Sequence, residues 1–246
     1  MMHRILRPLV NAMADVRLGC GEAANRWMYG KRESVVIKNG IDTCLYRFDA
    51  TTRIQVRKEL GIGDEVTVIG HVGGYNRQKN QQMLMYILKA IEAKNPSKDF
   101  CLISVGRGHT QKDVEQLASK LGVDGKVRFL GQRTDVPKLL NAMDMFFLPS
   151  LFEGFPIVAI EAQTAGLPLV IADTISKEVE LTNLVHWLPI DKGAEVWAEK
   201  YYQIAHTKVN RVQYAPIVER KGFDARHSAQ ILQDIYVKNI LRNENS

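Results

Sequence analysis

Cysteine is scarce in this chain and falls into no pairing pattern. The 246 residues hold three, Cys20, Cys44 and Cys101, scattered and odd in number. Such usage excludes a disulfide framework and offers no metal or redox spacing, so reduced thiols in a cytosol are expected. No apolar run approaches the roughly 20 residues that a membrane helix needs. The first 18 residues interleave Arg4, Arg7, Asp15 and Arg17 among apolar positions; that is the pattern of an amphipathic helix and not of a secretory leader. Internal repeats, low-complexity tracts and disordered linkers are missing. So are a Ser-His-Asp or Cys-His set and a cluster of metal-ligand residues. One sign of charge is not strongly depleted either. The formal excess of +6, with a pI of about 9.2, is too small and dispersed to choose among nucleic acid, an anionic membrane surface and anionic small ligands. What remains is ordinary globular composition, 46% hydrophobic and 24% charged, with core enough for one large domain or two small ones.

The apolar pattern gives the order of elements. Residues 2–14 place Ile5, Leu6, Leu9, Val10 and Met13 at helical spacing. A short strand at 16–18, a helix at 22–29 and a β-branched run at 35–37 follow. These pieces are too few to bury a core alone and read as the tail of something larger, or a docking arm. From residue 50 the pattern becomes regular. Helices are expected at 50–60, 79–94, 111–121, 135–142, 192–206 and 224–241, besides one opening near Pro156. They alternate with short continuous apolar runs at 66–72, 100–105, 127–130, 145–148, 169–172 and 185–188. Continuous apolar runs alternating with helices imply an α/β fold, a doubly wound parallel sheet covered on both faces. Ligands of such sheets bind outside the carboxyl ends of the strands. The unusual residues gather there: Gly73, Gly74, Arg77, Lys79, Gly106, Gly108, Gly131, Arg133, Glu153 and Gly154.

The most informative stretch runs from Phe152 to Glu161. It reads as strand, glycine-containing loop and helix, with Pro156 in the first turn, where its missing N–H costs little. Free N–H groups at a helix start suit phosphate. One carboxylate before the helix and one inside it would suit a ligand that carries hydroxyls as well as phosphates. Taken alone, an acid near a helix start is more simply a complement to the helix dipole, and a glutamate within a helix a solvated surface residue. The other rim residues have ordinary readings too. Gly73-Gly74 permits close backbone approach, Arg77 and Lys79 could neutralise a diphosphate or be solvated loop charges, and Thr134 or Asp135 could simply cap a helix. His71 is most simply a satisfied structural histidine. Gly106-Arg107-Gly108 lacks the third glycine and the terminal acid of a dinucleotide fingerprint, which rejects an NAD site.

Five motifs in fixed order carry a resemblance: Ile69 to Gly73 with Gln78-Lys79-Asn80; Val105 to Gly108; Val127 to Val136; Met143-Asp144 through Ser150; and Phe152 through Ala162, continuing to Gly166-Leu167-Pro168 and Asp173-Thr174-Ile175. Together they resemble the C-terminal, donor-binding half of retaining glycosyltransferases of family 4, with the two-domain GT-B architecture, of the type used in capsular and exopolysaccharide assembly. The family's signature is a pair of glutamates separated by seven residues, here Glu153 and Glu161. The resemblance implies a Rossmann-like domain over 39–222, a crossover helix at 223–246, and a remnant of the N-terminal GT-B domain, or docking arm, at 1–38. It implies hexosyl transfer from a nucleotide sugar, with UDP as the expected nucleotide. Glu161 would bind the ribose, and Glu153, facing the donor sugar, would be catalytic together with Lys79. Lys79 and the backbone of Gly154, Phe155, Pro156 and Ile157 would hold the diphosphate; Gly73, Gly74, Arg77 and Asn80 would line it, and Gly131 and Arg133 would meet the base. No metal cofactor is implied. The acceptor would be a glycan or a lipid-linked glycan. The expected place is the cytoplasm or the inner face of the membrane, with peripheral membrane association and no nucleic acid.

Two departures accompany the match. Where the family usually has Arg, this chain has Gly74, with Arg77 three residues on. Loss of such a cation would weaken leaving-group stabilisation by about 2–4 kcal/mol if it resembles loss of an oxyanion donor. The chain carries only pieces of the N-terminal domain, so it is expected to be a fragment of a longer enzyme or to be joined by a separate N-terminal half chain, with a homodimer through the final helix and residues 1–38 as the other expected pairing. The alternative is a catalytically silent module that holds a nucleotide sugar. A nucleotide-sugar epimerase is a weaker third reading, which the glutamate pair argues against.

Overall fold

The computed structural model describes residues 7, 8, 11–97, 99–205 and 207–244. The chain divides into two compact units, Thr43–Val218 and the pair of segments Met1–Asp42 and Glu219–Ser246.

In chain order, the smaller unit contributes β1 (Leu18–Gly19), α1 (Glu22–Tyr29) and β2 (Val35–Val36). Residues 7, 8 and 11–13 are helical and residue 14 is not; the other residues of the helix expected at 2–14 lie outside the described residues. β1 and β2 pair in parallel. Side chains tie this segment together: Arg7 Nε and Asn11 Nδ2 donate to Met28 O at 2.8 and 3.0 Å, and Tyr29 Oη donates to Leu18 O at 2.7 Å.

The larger unit holds α2 (Ala50–Glu59), β3 (Thr67–Val72), α3 (Gln81–Lys94), β4 (Phe100–Val105), α4 (Gln111–Leu121), β5 (Val127–Gly131), α5 (Val136–Ala142), β6 (Met145–Leu148), α6 (Ile157–Thr164), β7 (Leu169–Ala172), β8 (Val185–Leu188), α7 (Ala194–Ala205) and α8 (Tyr214–Val218). Then α9 (Ala225–Glu244) completes the smaller unit. Six strands form one sheet in the order β5-β4-β3-β6-β7-β8, all parallel. Every residue of β4, β6 and β7 is buried, which explains their unbroken apolar sequences: both sides of each strand face helices. α3 packs with α4 and α7, α2 with α5, and α6 with α8. From β3 the chain steps outward through β4 and β5 in one direction, and from β6 through β7 and β8 in the other, so the strand order reverses between β3 and β6.

The lower, amino-terminal edge of the sheet is organised by arginines. α5 ends at Met143 in extended backbone with no left-handed cap, which leaves its last carbonyls without helical partners. Arg53, Arg57 and Arg211 take them: Arg211 Nη2 donates to Leu140 O at 2.9 Å, Arg57 Nη1 to Ala142 O at 3.2 Å, and Arg53 Nη1 and Arg211 Nη1 to Met143 O at 3.0 and 2.8 Å. Asp144 balances the charge, pairing with Arg53 at 2.6 Å and accepting from Val68 N at 2.7 Å. A cavity of about 360 Å³ opens beside this cluster, lined by Arg53, Asp144 and Arg211 among others. Its guanidinium groups are already engaged by carbonyls.

Some expectations shift by a residue or two. The helix expected from 79 begins at Gln81, because Asn80 sits in left-handed backbone (φ 54°), a conformation that asparagine tolerates better than most residues. Pro156 stands just before α6, not inside its first turn. Asp135 is the residue capping α5, but its carboxylate bonds Arg133 instead of the helix N–H groups. α8 and the turn at Glu219–Phe223 had no counterpart in the sequence reading; five residues are too few for a period to register.

Candidate functional site

The reversal of strand order between β3 and β6 marks the place where such sheets form a crevice beyond the carboxyl ends of their strands. Two loops flank it, 73–80 after β3 and 149–156 after β6, and both reach across. Leu151 N donates to Gln78 O at 2.8 Å, and Asn80 Nδ2 donates to Pro149 O at 3.1 Å. The strained backbone at Asn80 thus has a local cause: it aims the amide at the opposite loop. Lys79 and Glu153 meet here, Nζ to Oε1 at 2.6 Å, with side chains 18% and 7% exposed. Gln78 Nε2 donates to the other oxygen of Glu153 at 3.1 Å. A carboxylate so far removed from water needs its charge matched and its oxygens bonded, and these two neighbours do both. The pair leaves further N–H groups of the lysine ammonium available to a ligand.

The floor of the crevice is backbone. Gly73 lies against the stem of Lys79: a Cβ there would stand 3.3 Å from Lys79 Cδ and Cε, and 3.4 Å from His71 Nε2. The loops after β3, β4 and β5 are zipped together by Gly73 N to Val105 O (2.9 Å), Tyr75 N to Arg107 O (3.0 Å) and Gly106 N to Gly131 O (2.8 Å). Gly106 and Gly108 permit this approach, since a Cβ on either would meet the carbonyl oxygen of Gly73 or Tyr75 at 2.0 Å. His71 is buried, with Nδ1 2.9 Å from Phe147 O. Burial pushes its pKa down to about 4, the bond to Phe147 opposing and the charge of Lys79 assisting. The ring is therefore neutral at physiological pH. With Nδ1 protonated toward the carbonyl, Nε2 is an acceptor that has no partner among the described residues.

Glu161 lies one turn into α6. Its inner neighbour Gln163 is fully buried and anchors the helix: Nε2 donates to Ala159 O and Val179 O at 2.9 and 2.8 Å, and Oε1 accepts from Leu181 N and Thr182 N at 2.9 and 3.0 Å. Glu161 itself is half-buried and accepts from Tyr46 Oη at 2.7 Å. Burial raises its pKa, and the tyrosine bond draws it back. Gly154 is open on every side within 4 Å of a hypothetical Cβ, and Phe152 beside it is 60% exposed.

The structure thus brings Gly73, Lys79, Asn80 and Glu153 into one cluster, with Gly154, Phe155, Pro156 and Ile157 leading from it into α6. Gly131 joins through Gly106, and Arg107 Nε lies 3.8 Å from where a Gly131 Cβ would stand. Gly74 is exposed and adjoins Arg107 O. Arg77 is exposed, with no ion pair among the described residues. Arg133 forms a two-pronged pair with Asp135 at 2.8 and 2.7 Å at the surface, which raises its pKa. Tyr46 was missed by sequence reasoning. It lies 115 residues from Glu161, in a turn whose only signal is one aromatic. Among the described residues there is no group of three or more His, Cys, Asp or Glu able to hold a metal, and no helix long and apolar enough to cross a membrane.

Residues 66–205, more than half the chain, match the family described as glycosyl transferases group 1, and the chain belongs to that family. Among particular proteins it is similar to EpsF of Bacillus subtilis (strain 168), assigned as a glycosyltransferase, at 30% identity over 94% of this chain and 62% of the relative. It is also similar to the Escherichia coli UDP-Gal:alpha-D-GlcNAc-diphosphoundecaprenol alpha-1,3-galactosyltransferase, at 33% identity over 56% of this chain and 36% of that enzyme. The chain therefore spans less than two thirds of the length of either. In fold it resembles Anabaena HepE, solved in complex with UDP and glucose, with a TM-score of 0.78 and 24% identity over 95% of this chain and 66% of that one. It likewise resembles sucrose-phosphate synthase of Thermosynechococcus elongatus, with a TM-score of 0.79 and 20% identity over 98% and 62%. The parallel sheet of six strands is that of a GT-B glycosyltransferase half.

Proposed function

We propose that this chain is the donor-binding half of a retaining glycosyltransferase of family 4 that moves a hexose from a UDP-sugar to a glycan or lipid-linked acceptor in exopolysaccharide or related synthesis. The observation that carries the reading is the Lys79–Glu153 pair at the point where the strand order reverses. A relative with a UDP-galactose donor and a fold neighbour holding UDP and glucose support the choice of nucleotide.

In this reading Glu161 accepts the ribose hydroxyls, and the first N–H groups of α6 with Lys79 meet the diphosphate. Transfer breaks the bond between the sugar C1 and the β-phosphate oxygen. The electron pair stays on that oxygen, and the acceptor hydroxyl bonds to C1 and gives its proton to the departing phosphate. Lys79 faces the charge that develops on the departing diphosphate, and Glu153 holds the ammonium in place from behind. A cation already fixed there needs no metal to do the same work, since preorganised charge is the main source of such stabilisation. Residues 1–42 with 219–246 are then the partner-facing part. Trp27, Tyr236 and Ile240 are exposed there, at 59%, 61% and 57%, consistent with an N-terminal half chain or a second copy and with peripheral attachment to a membrane.

Calorimetry with UDP, UDP-sugars and GDP-sugars tests the donor site. UDP is expected to bind, and Glu161→Ala to weaken it about 10- to 100-fold, the value of a hydrogen bond to a charged group. Absence of binding to every nucleotide would sink the reading. EDTA is expected to leave the UDP affinity unchanged. A second reading, a binding module without transfer, is favoured by one feature: Gly74 offers no charge and Arg77 points into solvent. It predicts UDP binding but no hexose transfer even when a complementary N-terminal half is supplied.

A further inference from the structure

We infer that Tyr46 is a positioning residue for the nucleotide's ribose: its hydroxyl fixes Glu161 so that the free carboxylate oxygen meets the 2′- and 3′-hydroxyls. The inference rests on the donor-site reading above and deepens it. Its geometry is a single 2.7 Å bond from Tyr46 Oη to Glu161 Oε1. A carboxylate offers about four acceptor positions, so one bond at Oε1 leaves Oε2 open to a vicinal diol. Among the described residues Oε2 has no other hydrogen-bond partner.

The tyrosine is held by anchors that do not depend on a ligand. Two residues on, Phe48 lies under the Arg211 guanidinium, 4.1 Å from ring to charge. Three residues on, Asp49 N donates to Oδ1 of the buried Asn141 at 2.7 Å, and the Asp49 carboxylate caps α2 through Thr52 N. On the other side, Gln163 pins α6 to the 179–182 loop. The two ends of the Tyr46–Glu161 bond are therefore fixed by separate scaffolds, and the bond sets the direction of a carboxylate that would otherwise sample several rotamers. Both side chains are half-buried, so the open oxygen remains reachable from solvent.

The bond has a second effect. Burial raises the Glu161 pKa, and the tyrosine hydroxyl opposes it. Tyr46, on the loop before α2, is the titratable group acting on Glu161 among the described residues. Without the phenol, the carboxylate takes up its proton at a higher pH and ceases to accept both hydroxyls.

The test compares wild type, Tyr46→Phe and Glu161→Ala by calorimetry with UDP and 2′-deoxy-UDP between pH 4.5 and 8. Tyr46→Phe keeps the ring and its packing. It is expected to weaken UDP binding about 5- to 30-fold, to weaken 2′-deoxy-UDP, which keeps only the 3′-hydroxyl, by clearly less, and to move the acid limb of UDP binding to higher pH. Unchanged ribose preference and an unchanged pH profile in Tyr46→Phe, with Glu161→Ala still weakened, overturn the role of Tyr46 and leave the donor site standing. Tighter UDP binding by Tyr46→Phe also overturns it, because the tyrosine would then be a competitor for the carboxylate. If Glu161→Ala binds UDP as wild type does, the donor-site reading fails and this inference fails with it.

Discussion

Single residues in this chain acquire meaning from what they touch. Glu153 and Glu161 are both glutamates at the rim, but one is bonded by a lysine and a glutamine and the other by a tyrosine. Their spacing was legible in the sequence because a family motif fixes it. Tyr46 was not legible, since a contact across 115 residues has no local pattern. His71 is the other residue whose state only the structure settles. It reads as a structural histidine in the sequence, and it is buried, but it lies beneath Gly73 beside Lys79. Its folded pKa of about 4 lies below the unfolded value of about 6.5. Between those values the unfolded chain binds a proton that the native ring refuses, so stability rises with pH across that window and is fully present above it. The gap corresponds to about 3 kcal/mol. Urea midpoints of wild type from pH 4 to 6.5 are expected to climb more steeply than those of His71→Phe. Parallel curves would mean that another group carries the dependence. At the site itself, Lys79→Met is expected to lower transfer, in the assembled enzyme, about 100- to 1000-fold, as for a lost oxyanion donor.

At the scale of elements, strands were the most legible feature. Continuous apolar runs such as Phe100 to Ile103 can be buried on both faces only within a covered sheet, and β4 is buried throughout. Helix ends were less legible, because side chains from distant parts of the chain decide them. α5 stops where it does because three arginines from α2 and the segment before α8 receive its carbonyls, a convergence that no window along the sequence contains. Arg211→Ala should leave Leu140 O and Ala165 O without their guanidinium donors, and each buried acceptor left open costs about 1–3 kcal/mol. A loss of about 3 kcal/mol in urea unfolding is expected. UDP affinity should change little by comparison, because the arginines serve the amino-terminal edge of the sheet and the crevice lies at the other.

For the whole molecule, charge and composition said little in the sequence and decide little in the fold. The +6 excess becomes informative only once an anionic ligand is assigned to the crevice. UDP binding is then expected to weaken several-fold from 50 to 500 mM salt, as screening shortens the reach of exposed charges from about 14 to 4 Å. A salt-independent affinity would leave the excess without a part in binding. In the sequence, short isolated runs give way to regular alternation at residue 50, and the structure divides the chain into Thr43–Val218 and the two terminal segments. No local pattern links α9 to β1 and β2, because the whole of the larger unit separates them.

The zipped floor of the crevice bears on how this site can change over generations. At Gly106 and Gly108 any side chain strikes a neighbouring carbonyl oxygen at 2.0 Å, and that oxygen belongs to backbone that cannot rotate aside. Gly154, next to Glu153 in the chain, has open space around it. A library sampling every amino acid at each position should therefore lose nearly all variants at the first two and keep many at the third. New ligand preferences would then arise from the Gly154 side of the crevice, while the floor stays as it is.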